Sequence, residues 1–337
     1  MSKSILAAAS GLALLGGSAM AQELTEVSFG TNWVAQAEHG GYYQALADGT
    51  YEACGLDVTI VPGGPQVNNR AMLMAGKIDF VMDGNFLLAF NAVAQDIPVV
   101  TVAAHFQKEP QVLLTHPGKV DSFEGLKDLD KLFIGDNGFQ SFYQWLITDF
   151  GFEAEKRVPY TFNPAPFLAD ENSAQQGYIT SEPFAIEREG GFEPDIWVLA
   201  DKGFSTYATM VSAMAETIEE KPEVVKCFVE GSAIGWANYL YGDPSAANAL
   251  IQEDNPDMSD EQLAYSLEKM LEYGIVDSGD SLELGIGAMT DATIKDFYDK
   301  MVAAGVVEEG LDYTKSYTLD FANTGAALPV KAALTGN

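Results

Sequence analysis

The chain has 337 residues, of which 47% are hydrophobic, so it can bury a full core, and its length favours two lobes. It carries 49 acidic and 18 basic side chains, which gives a formal charge of −31 at pH 7. Nucleic acid and anionic membrane surfaces would repel such a chain, so we expect neither as a partner, and the charge is typical of a soluble protein outside the cytoplasm.

Residues 1–21 have the pattern of a secretory signal peptide. Lys3 precedes an apolar run from Ile5 to Leu15, and small residues at Ala19 and Ala21 form a cleavage site. The run is too short to span a bilayer. The mature chain is therefore predicted to begin at Gln22. Because the residue directly after the cleavage site is not a cysteine, we expect a periplasmic protein without a lipid anchor.

The first hundred residues of the mature chain alternate between strand and helix patterns. The predicted strands are TEVSFGTNW, LDVTIV, IDFVM and PVVTVAAHF, and the predicted helices between them are GGYYQALADGTYEACG, QVNNRAMLMAGK and GNFLLAFNAVAQ. Strands that alternate with helices of ten to fifteen residues indicate βαβ units and a parallel sheet. The sequence therefore predicts an α/β lobe.

The middle of the chain repeats this scheme, and the last part is predicted to be helical. KLFIG, RVPYTF and QGYIT are predicted strands, and SFYQWLITDFG is a predicted helix that ends at Gly151. Beyond residue 205 the pattern becomes helical, with Val225, Phe228, Trp236 and Leu240 on one face. We expect two α/β lobes, with the helical C-terminal part returning to the first.

The sequence leaves open whether its two cysteines are bridged. Export would permit a disulfide between Cys54 and Cys227. Cys227, however, lies in the helical stretch PEVVKCFVEGSAIGWANYL, where its pattern favours a small apolar residue.

Polar side chains follow several predicted strands. In open α/β sheets, ligands bind beyond the carboxyl ends of the strands, where loops and helix N-termini meet. This rule selects ligand-binding candidates in three parts of the chain: Asn32, Trp33 and His39 after the first strand; Gly63, Gln66, Asp83 and Asn85 after the next two; and Asn137, Gln140, Ser141 and Glu182 in the middle segment.

The predicted site contains carboxylates, amides and an aromatic ring but no lysine or arginine. A site for sulfonate, phosphate or nitrate would more often include an arginine. Trp33 offers a stacking face, and Glu182 and Asp83 can accept hydrogen bonds from amino groups or ring N–H. The set indicates a small, flat ligand that is neutral or cationic, although Trp33 could equally pack in the core and His39 could cap a helix.

Motifs for catalysis or cofactor binding are missing from the sequence. It has no G-x-S-x-G, H-E-x-x-H or P-loop motif, and it contains only three histidines. His105 and His116 have no carboxylate nearby in sequence and are interpreted as structural. We expect no cofactor, no metal and no enzymatic activity.

The order of these motifs resembles a known family. Asn32-Trp33 followed after five residues by His39, then YEACGLDVTIV, AGKIDFVM, EPQVLLTHPG, GLKDLDKLFIGDNG, ITSEPF and EKPEVVKCFVEG, is similar to the NMT1/THI5-like group. That group includes periplasmic solute-binding proteins of ABC importers, among them those for thiamine pyrimidine precursors, and the eukaryotic thiamine-pyrimidine synthase. The likeness covers nearly the whole mature chain.

The resemblance implies a type II periplasmic-binding fold, in which two α/β lobes joined by a two-strand hinge enclose a ligand. Lobe 1 would comprise residues 22–106 and 206–337, and lobe 2 residues 107–205, with crossings near residues 104–108 and 203–207. The resemblance assigns a pyrimidine contact to Trp33 and His39 and an acidic ligand contact to Glu182. Tyr207, at the end of the second crossing, is also predicted to bind ligand.

The resemblance implies a periplasmic receptor that binds a pyrimidine-type heterocycle and delivers it, as a monomer, to an ABC permease in the inner membrane. Two alternatives remain. Relatives that bind sulfonates or nitrate share the fold, and an exported enzyme of the synthase type would use His39 chemically. The stretch GFSTYATMVSAM lacks the cysteine-rich run of the synthase branch, which argues for the binding branch.

Overall fold

A computed structural model describes residues 24–64 and 67–336. The predicted signal peptide, the predicted start at Gln22 and the candidate Gln66 lie outside these described residues. Within the described part of the chain, no helix is both long and apolar enough to cross a membrane.

Ten strands and fifteen α-helices are formed by the described residues. The strands are β1 Thr25–Gly30, β2 Leu56–Val61, β3 Phe80–Asn85, β4 Val99–Phe106, β5 Gln111–Thr115, β6 Lys131–Ile134, β7 Arg157–Pro159, β8 Ser173–Tyr178, β9 Asp195–Val198 and β10 Ala208–Met214. The helices are α1 Gly40–Ala47, α2 Thr50–Ala53, α3 Asn69–Met74, α4 Phe86–Ala94, α5 Asp136–Phe139, α6 Phe142–Phe150, α7 Ala165–Leu168, α8 Glu182–Gly190, α9 Ala215–Glu220, α10 Pro222–Tyr241, α11 Ser245–Asp254, α12 Asp260–Glu272, α13 Ser281–Leu284, α14 Asp291–Ala303 and α15 Leu328–Thr335. Short 3-10 helices lie at Ala37–His39, Phe123–Asp128, Ala154–Lys156, Ala200–Lys202 and Tyr313–Ser316.

The strands form two sheets with the same internal pattern. In the first sheet the order is β2-β1-β3-β10-β4, where β1 is parallel to β2 and β3 and β10 is antiparallel to both its neighbours. In the second the order is β7-β6-β8-β5-β9, where β6 is parallel to β7 and β8 and β5 is antiparallel to β8 and β9. The sheets are therefore mixed, and the purely parallel sheet expected from the sequence is corrected.

The antiparallel strand of the first sheet corrects the sequence-based expectation that the chain is helical beyond residue 205. β10 lies between β3 and the edge strand β4, and all but the last of its residues are buried. A strand buried on both faces has a continuous apolar pattern, and a short apolar run does not distinguish such a strand from a buried helix.

The chain passes between the two sheets twice. Residues 107–110 connect β4 to β5, and residues 199–207 connect β9 to β10. The sequence-based crossings were residues 104–108 and 203–207, so each lies within a few residues of the connection in the structure. Two short connections between two sheets form the hinge of a two-lobed α/β fold.

The core of the first lobe is built around α10. The predicted apolar face of this helix is buried, and the ring of Phe228 stacks on Phe80 at 4.4 Å and on Tyr51 at 5.3 Å between centroids. Glycines let α10 approach α1 closely, because a Cβ on Gly235 would lie 2.2 Å from the carbonyl oxygen of Gly41. The C-terminal helices thereby return to the first sheet, as the sequence predicts.

A disulfide joins Cys54 to Cys227, with a Cα–Cα distance of 5.9 Å. It links the end of α2 to α10 across 173 residues of sequence. The helical pattern around Cys227 favoured an unbridged apolar residue, and the structure corrects that interpretation. Helical periodicity places Cys227 near the face that packs on the first lobe, but only the tertiary fold brings Cys54 to the same place.

Candidate ligand-binding site

An inner cavity of ≈ 70 Å³ lies between the two sheets, at the carboxyl ends of β1, β3 and β6. An outer cavity of ≈ 200 Å³ adjoins it, and the two share Asn32, Trp33, Gly84, Leu88 and Asn137. A hydrogen bond joins the two parts of the structure beside the outer cavity, because Asn91 Nδ2 of α4 donates to the carbonyl of Gln140 after α5 at 3.4 Å. Because ligand sites of α/β sheets lie where strand ends converge, these cavities form the candidate site.

Most residues selected by the strand-end rule line the two cavities. Those lining the inner cavity are Asn32, Trp33, His39, Asn85, Asn137, Ser141 and Glu182. Asp83 and Gln140 line the outer cavity instead.

The structure places Gly63 and Tyr207 away from both cavities. The Gly63 N–H donates to the Trp33 carbonyl at 3.0 Å, and a Cβ there would lie 2.3 Å from the Thr31 carbonyl oxygen, so the glycine supports the loop that carries Trp33. The hydroxyl of Tyr207 donates to the Asp280 carboxylate and contacts Thr290, which holds the second crossing on α14.

Trp33 is half-buried and reaches across to the opposite lobe. Its ring lies 6.1 Å from that of Tyr160, at an interplanar angle of 18°, and 6.2 Å from the edge-on ring of Phe162. The Tyr160 and Phe162 rings belong to the segment after β7, which the sequence did not select. The geometry lets Trp33 cover a flat ligand from one side while its outer face packs on the second lobe.

His39 is fully buried beside the cavity. Burial lowers the pKa of its imidazole to about 3, so the ring is neutral at physiological pH. Its Nδ1 atom has no hydrogen-bond partner among the described residues. A neutral imidazole with one unpartnered nitrogen can either accept or donate a hydrogen bond, according to its tautomer.

Two glutamates reach the inner cavity from opposite lobes. Glu182 begins α8, and its carboxylate accepts hydrogen bonds from the Tyr178 N–H at 2.7 Å and the Tyr160 hydroxyl at 3.3 Å. Glu38 follows β1, and its carboxylate accepts a hydrogen bond from the Thr180 hydroxyl. Burial raises the pKa of both carboxyls, and burial together with the charge of Glu38 raises that of Glu182 to about 8.

Amide side chains supply most of the other polar groups. Asn85 Oδ1 accepts from the Leu87 N–H at 3.2 Å and caps α4, which leaves its Nδ2 group as the donor for a ligand. Gln176 Oε1 accepts from the Gly135 N–H at 2.7 Å, and Gln111 Nε2 donates to the Gly177 carbonyl at 2.9 Å. Gln36 Oε1 is buried without a partner among the described residues.

The strand-end rule missed several residues of the inner cavity, namely Gln36, Glu38, Gln111, Gln176, Tyr178 and Thr209. Gln111, Gln176 and Tyr178 lie within strands rather than after them. Gln36 and Glu38 flank His39 in the segment that the sequence did select, so their spacing was an available signal. Thr209 lies in β10 with a φ of 47°, a strained conformation for a β-branched residue that is typical of functional sites.

The outer cavity contains the basic residue that the sequence-based set lacked. Arg70 Nη2 lies 2.6 Å from Asp83 Oδ2, and Arg70 Nη1 donates to the Leu88 carbonyl at 2.9 Å. Asp83 is 4% exposed, so this ion pair is largely desolvated. On the other side, Asp136 pairs with Arg157. Asp83, which the sequence offered as a ligand contact, and Asp136 are therefore both already paired with cations.

The described residues contain no group of three or more histidine, cysteine, aspartate or glutamate side chains arranged to hold a metal ion. The described lining of the inner cavity holds amides, carboxyls and aromatic rings, and it includes no lysine or arginine.

Comparison with protein families gives a match over residues 36–247 to the model described as NMT1/THI5 like. The match covers more than half of the chain. The chain belongs to the NMT1/THI5-like family. No curated protein matches the sequence significantly.

Solved structures share the fold of this NMT1/THI5-like chain at low sequence identity. The periplasmic nitrate-binding protein NrtA from Synechocystis PCC 6803 is 13% identical with a TM-score of 0.64, over 92% of this chain and 90% of that one. The alkanesulfonate-binding protein SsuA from Xanthomonas axonopodis pv. citri, bound to MOPS, is 13% identical with a TM-score of 0.60, over 88% and 99%. The desulfurization enzyme DszB, 9% identical, has a TM-score of 0.54 over 91% and 99%.

These likenesses establish that the NMT1/THI5-like chain has the type II periplasmic-binding-protein fold, as its sequence predicts. At such low identities these likenesses show only the fold, because proteins with this fold include both binding proteins and an enzyme. The family match includes Glu38, His39 and Glu182, and it begins three residues after Trp33.

Proposed function

We propose that this protein is the periplasmic solute receptor of an ABC importer and that it binds a small, flat nitrogen heterocycle between its lobes. Lobe 1 consists of residues 22–106 and 206–337, and lobe 2 of residues 107–205. The receptor acts as a monomer, and its closed form docks on a permease in the inner membrane. Family membership and the two-lobed fold support the receptor function, because hinge closure around a solute is how such folds work.

The observation that carries the choice of ligand is the polarity of the inner cavity. Trp33 forms an aromatic wall, and hydrogen-bond acceptors with no partner among the described residues, Gln36 Oε1 and Glu38 Oε2, lie at the same cavity. A ligand that carries amino or ring N–H groups satisfies these acceptors, whereas an anion would meet carboxyls. A pyrimidine with an amino substituent combines the flat ring with such donors.

An anion receptor is the second candidate, and Arg70 at the outer cavity is the observation that favours it. Nitrate and sulfonate are the solutes in the names of two proteins with this fold. Arg70, however, already pairs with Asp83 and donates to the Leu88 carbonyl. Binding of an anion at Arg70 would have to compete with a buried carboxylate, so we place this candidate second.

A thermal-shift screen of unliganded, refolded mature protein tests both candidates. The panel comprises aminopyrimidines, thiamine, riboflavin, nucleobases, taurine, alkanesulfonates and nitrate. A ligand at a hundred times its dissociation constant stabilises by about 2.7 kcal/mol, enough for a shift of a few degrees. A shift with the heterocycles alone supports the proposal, and a shift with the anions alone refutes it.

The variant Trp33→Ala tests the site itself. We expect its affinity for the best heterocycle to fall at least about tenfold in titration calorimetry, since stacking on one aromatic ring is worth about 1–3 kcal/mol. Tyr273→Ala is the matched control, because Tyr273 is an exposed aromatic residue and its contact with Lys108 uses the backbone carbonyl. Equal affinities of the two variants would place the ligand elsewhere.

A further inference from the structure

Glu38 and Glu182 face one cavity from opposite lobes, and both are nearly inaccessible to solvent. Their exposed fractions are 1% and 6%. Glu38 comes from the 3-10 helix after β1, and Glu182 comes from the first turn of α8. The two carboxyls are close enough for the charge of one to disfavour ionisation of the other. The sequence selected Glu182 and passed over Glu38.

The hydrogen bonds of the two carboxyls leave one oxygen free. Both oxygens of Glu182 accept hydrogen bonds from lobe 2, at the Tyr178 N–H and the Tyr160 hydroxyl. Glu38 Oε1 accepts from the Thr180 hydroxyl across the cleft, whereas Glu38 Oε2 is buried with no partner among the described residues. Gln36 Oε1, which also has no partner among the described residues, lines the same cavity. A ligand with two hydrogen-bond donors could therefore bind Gln36 Oε1 and Glu38 Oε2.

The described surroundings of this pair supply no positive charge. The titratable groups that face it are His39, Tyr160, Tyr178, Tyr239 of α10 and, from the first crossing, Glu109. The imidazole is neutral because burial lowers its pKa to about 3, and burial raises the pKa of all three tyrosines above the ordinary value of 10. Burial also raises the pKa of Glu109 to about 8. Two buried, ionised carboxylates without a cation would be costly, so burial favours the protonated form of each carboxyl.

We propose that the solute is a planar cation whose positively charged N–C–N edge binds between Glu38 and Glu182, so that its charge draws the two lobes together. This inference rests on the proposed function. Binding of the cation favours ionisation of the carboxyls that hold it, and the protons that they lose pass to solvent. Each carboxylate then accepts a charge-assisted hydrogen bond from the ligand, which is about twice as strong as a neutral one. Amidines and protonated amino-heterocycles belong to this chemical class.

Closure follows from the position of Glu38. Its hydrogen bond with Thr180 exists only when the lobes meet, because the two residues belong to opposite lobes. Once the ligand holds this carboxylate in its ionised form, the bond from the Thr180 hydroxyl becomes charge-assisted as well. The Glu38 side chain thus binds the charged ligand and also stabilises the closed cleft.

A pair of isosteric probes tests the charge requirement. Benzamidine is a planar cation at neutral pH, and benzamide is its neutral counterpart of nearly the same shape. We expect wild-type protein to bind benzamidine at least about tenfold more tightly than benzamide, because hydrogen bonds from a charged donor are about twice as strong as those from a neutral one. Binding enthalpies measured in phosphate and in Tris should differ for benzamidine, because protons are released, and should agree for benzamide.

Two variants test whether Glu38 and Glu182 cause the preference for a cation. Glu38→Gln and Glu182→Gln keep the side-chain shape, and each should reduce the preference for benzamidine at least about fivefold while benzamide binds as before. Glu52→Gln and Glu187→Gln, at exposed positions in the two lobes, are the controls and should retain the wild-type preference. Circular dichroism checks folding, and if one of the two cavity variants does not fold, the preference measured with the other decides the outcome.

The outcomes separate this inference from the proposed function. Equal binding of benzamidine and benzamide, or a preference that survives both cavity variants, overturns the cation requirement. If neutral heterocycles still bind and lose affinity in Trp33→Ala, the receptor function stands alone. If only nitrate or alkanesulfonates bind, both proposals fail.

Discussion

Replacing Glu182 with glutamine should change how the stability of the unliganded protein depends on pH. Desolvation by burial, with a smaller contribution from the charge of Glu38, raises the pKa of the Glu182 carboxyl from 4.5 to about 8. The folded state therefore retains a proton that the unfolded chain releases. Stability from this group is complete below the unfolded pKa and is lost as the pH rises through the folded value.

The size of the change in unfolding free energy follows from the difference between the unfolded and folded pKa values. Between pH 4.5 and about 8 the folded protein binds up to one proton more than the unfolded chain at this position. Each pH unit then removes up to about 1.4 kcal/mol of unfolding free energy. Opening of the cleft can hydrate the carboxyl without unfolding, so the measured loss lies below this upper value. Glu182→Gln mimics the protonated carboxyl and should make the decline shallower by up to that slope.

The assay is urea unfolding of ligand-free wild type, Glu182→Gln and Glu187→Gln between about pH 5 and about pH 8. Glu187 lies on the same helix but is exposed, so its variant should follow the wild type. His39 and His105, whose pKa values burial lowers to about 3, favour the folded state above about pH 6.5 and lose this effect as the pH falls. All three proteins should show the same loss of stability as the pH falls. Identical slopes of wild type and Glu182→Gln toward alkaline pH would refute the burial argument.

Two further predictions concern the packing of the first lobe. The double variant Cys54→Ala/Cys227→Ala should lose up to roughly 5 kcal/mol in urea unfolding, the chain-entropy value for a bridge that spans 173 residues, and an unchanged midpoint would contradict a stabilising disulfide. Gly235→Ala should lose about 1–3 kcal/mol because its Cβ would meet the Gly41 carbonyl at 2.2 Å. Gly64→Ala should keep the wild-type melting temperature, because its Cβ would lie 3.6 Å from Val67, the nearest described residue that is not its chain neighbour. Equal melting temperatures of the two variants would refute the close approach of α1 and α10.

Local sequence patterns predicted much of the fold because they report which side chains must be buried. Strand alternation located β1, β2 and β3, and helical periodicity located the buried face of α10. The strand-end rule selected Trp33, His39 and Asn85, which lie together because the carboxyl ends of parallel strands share an edge of the sheet. It also selected Glu182 at a strand end of the second sheet, and the approach of the two sheets brings that residue to the same cavity.

Other features depended on contacts between distant parts of the chain. A buried strand such as β10 has the same apolar run as a buried helix, so its antiparallel place between β3 and β4 came only from the assembled sheet. The bridge between Cys54 and Cys227 likewise required the return of α10 to the first lobe.

The chemistry of the site likewise depends partly on the sequence alone and partly on the tertiary structure. The sequence by itself determined the residue types, an aromatic face with amides and carboxyls, because side-chain chemistry is fixed by the amino acid. Only the tertiary structure decided that Glu38 meets Thr180 from the other lobe and that Arg70 neutralises Asp83. Burial and pairing set the charge of a group, and both arise from residues that are far apart in sequence.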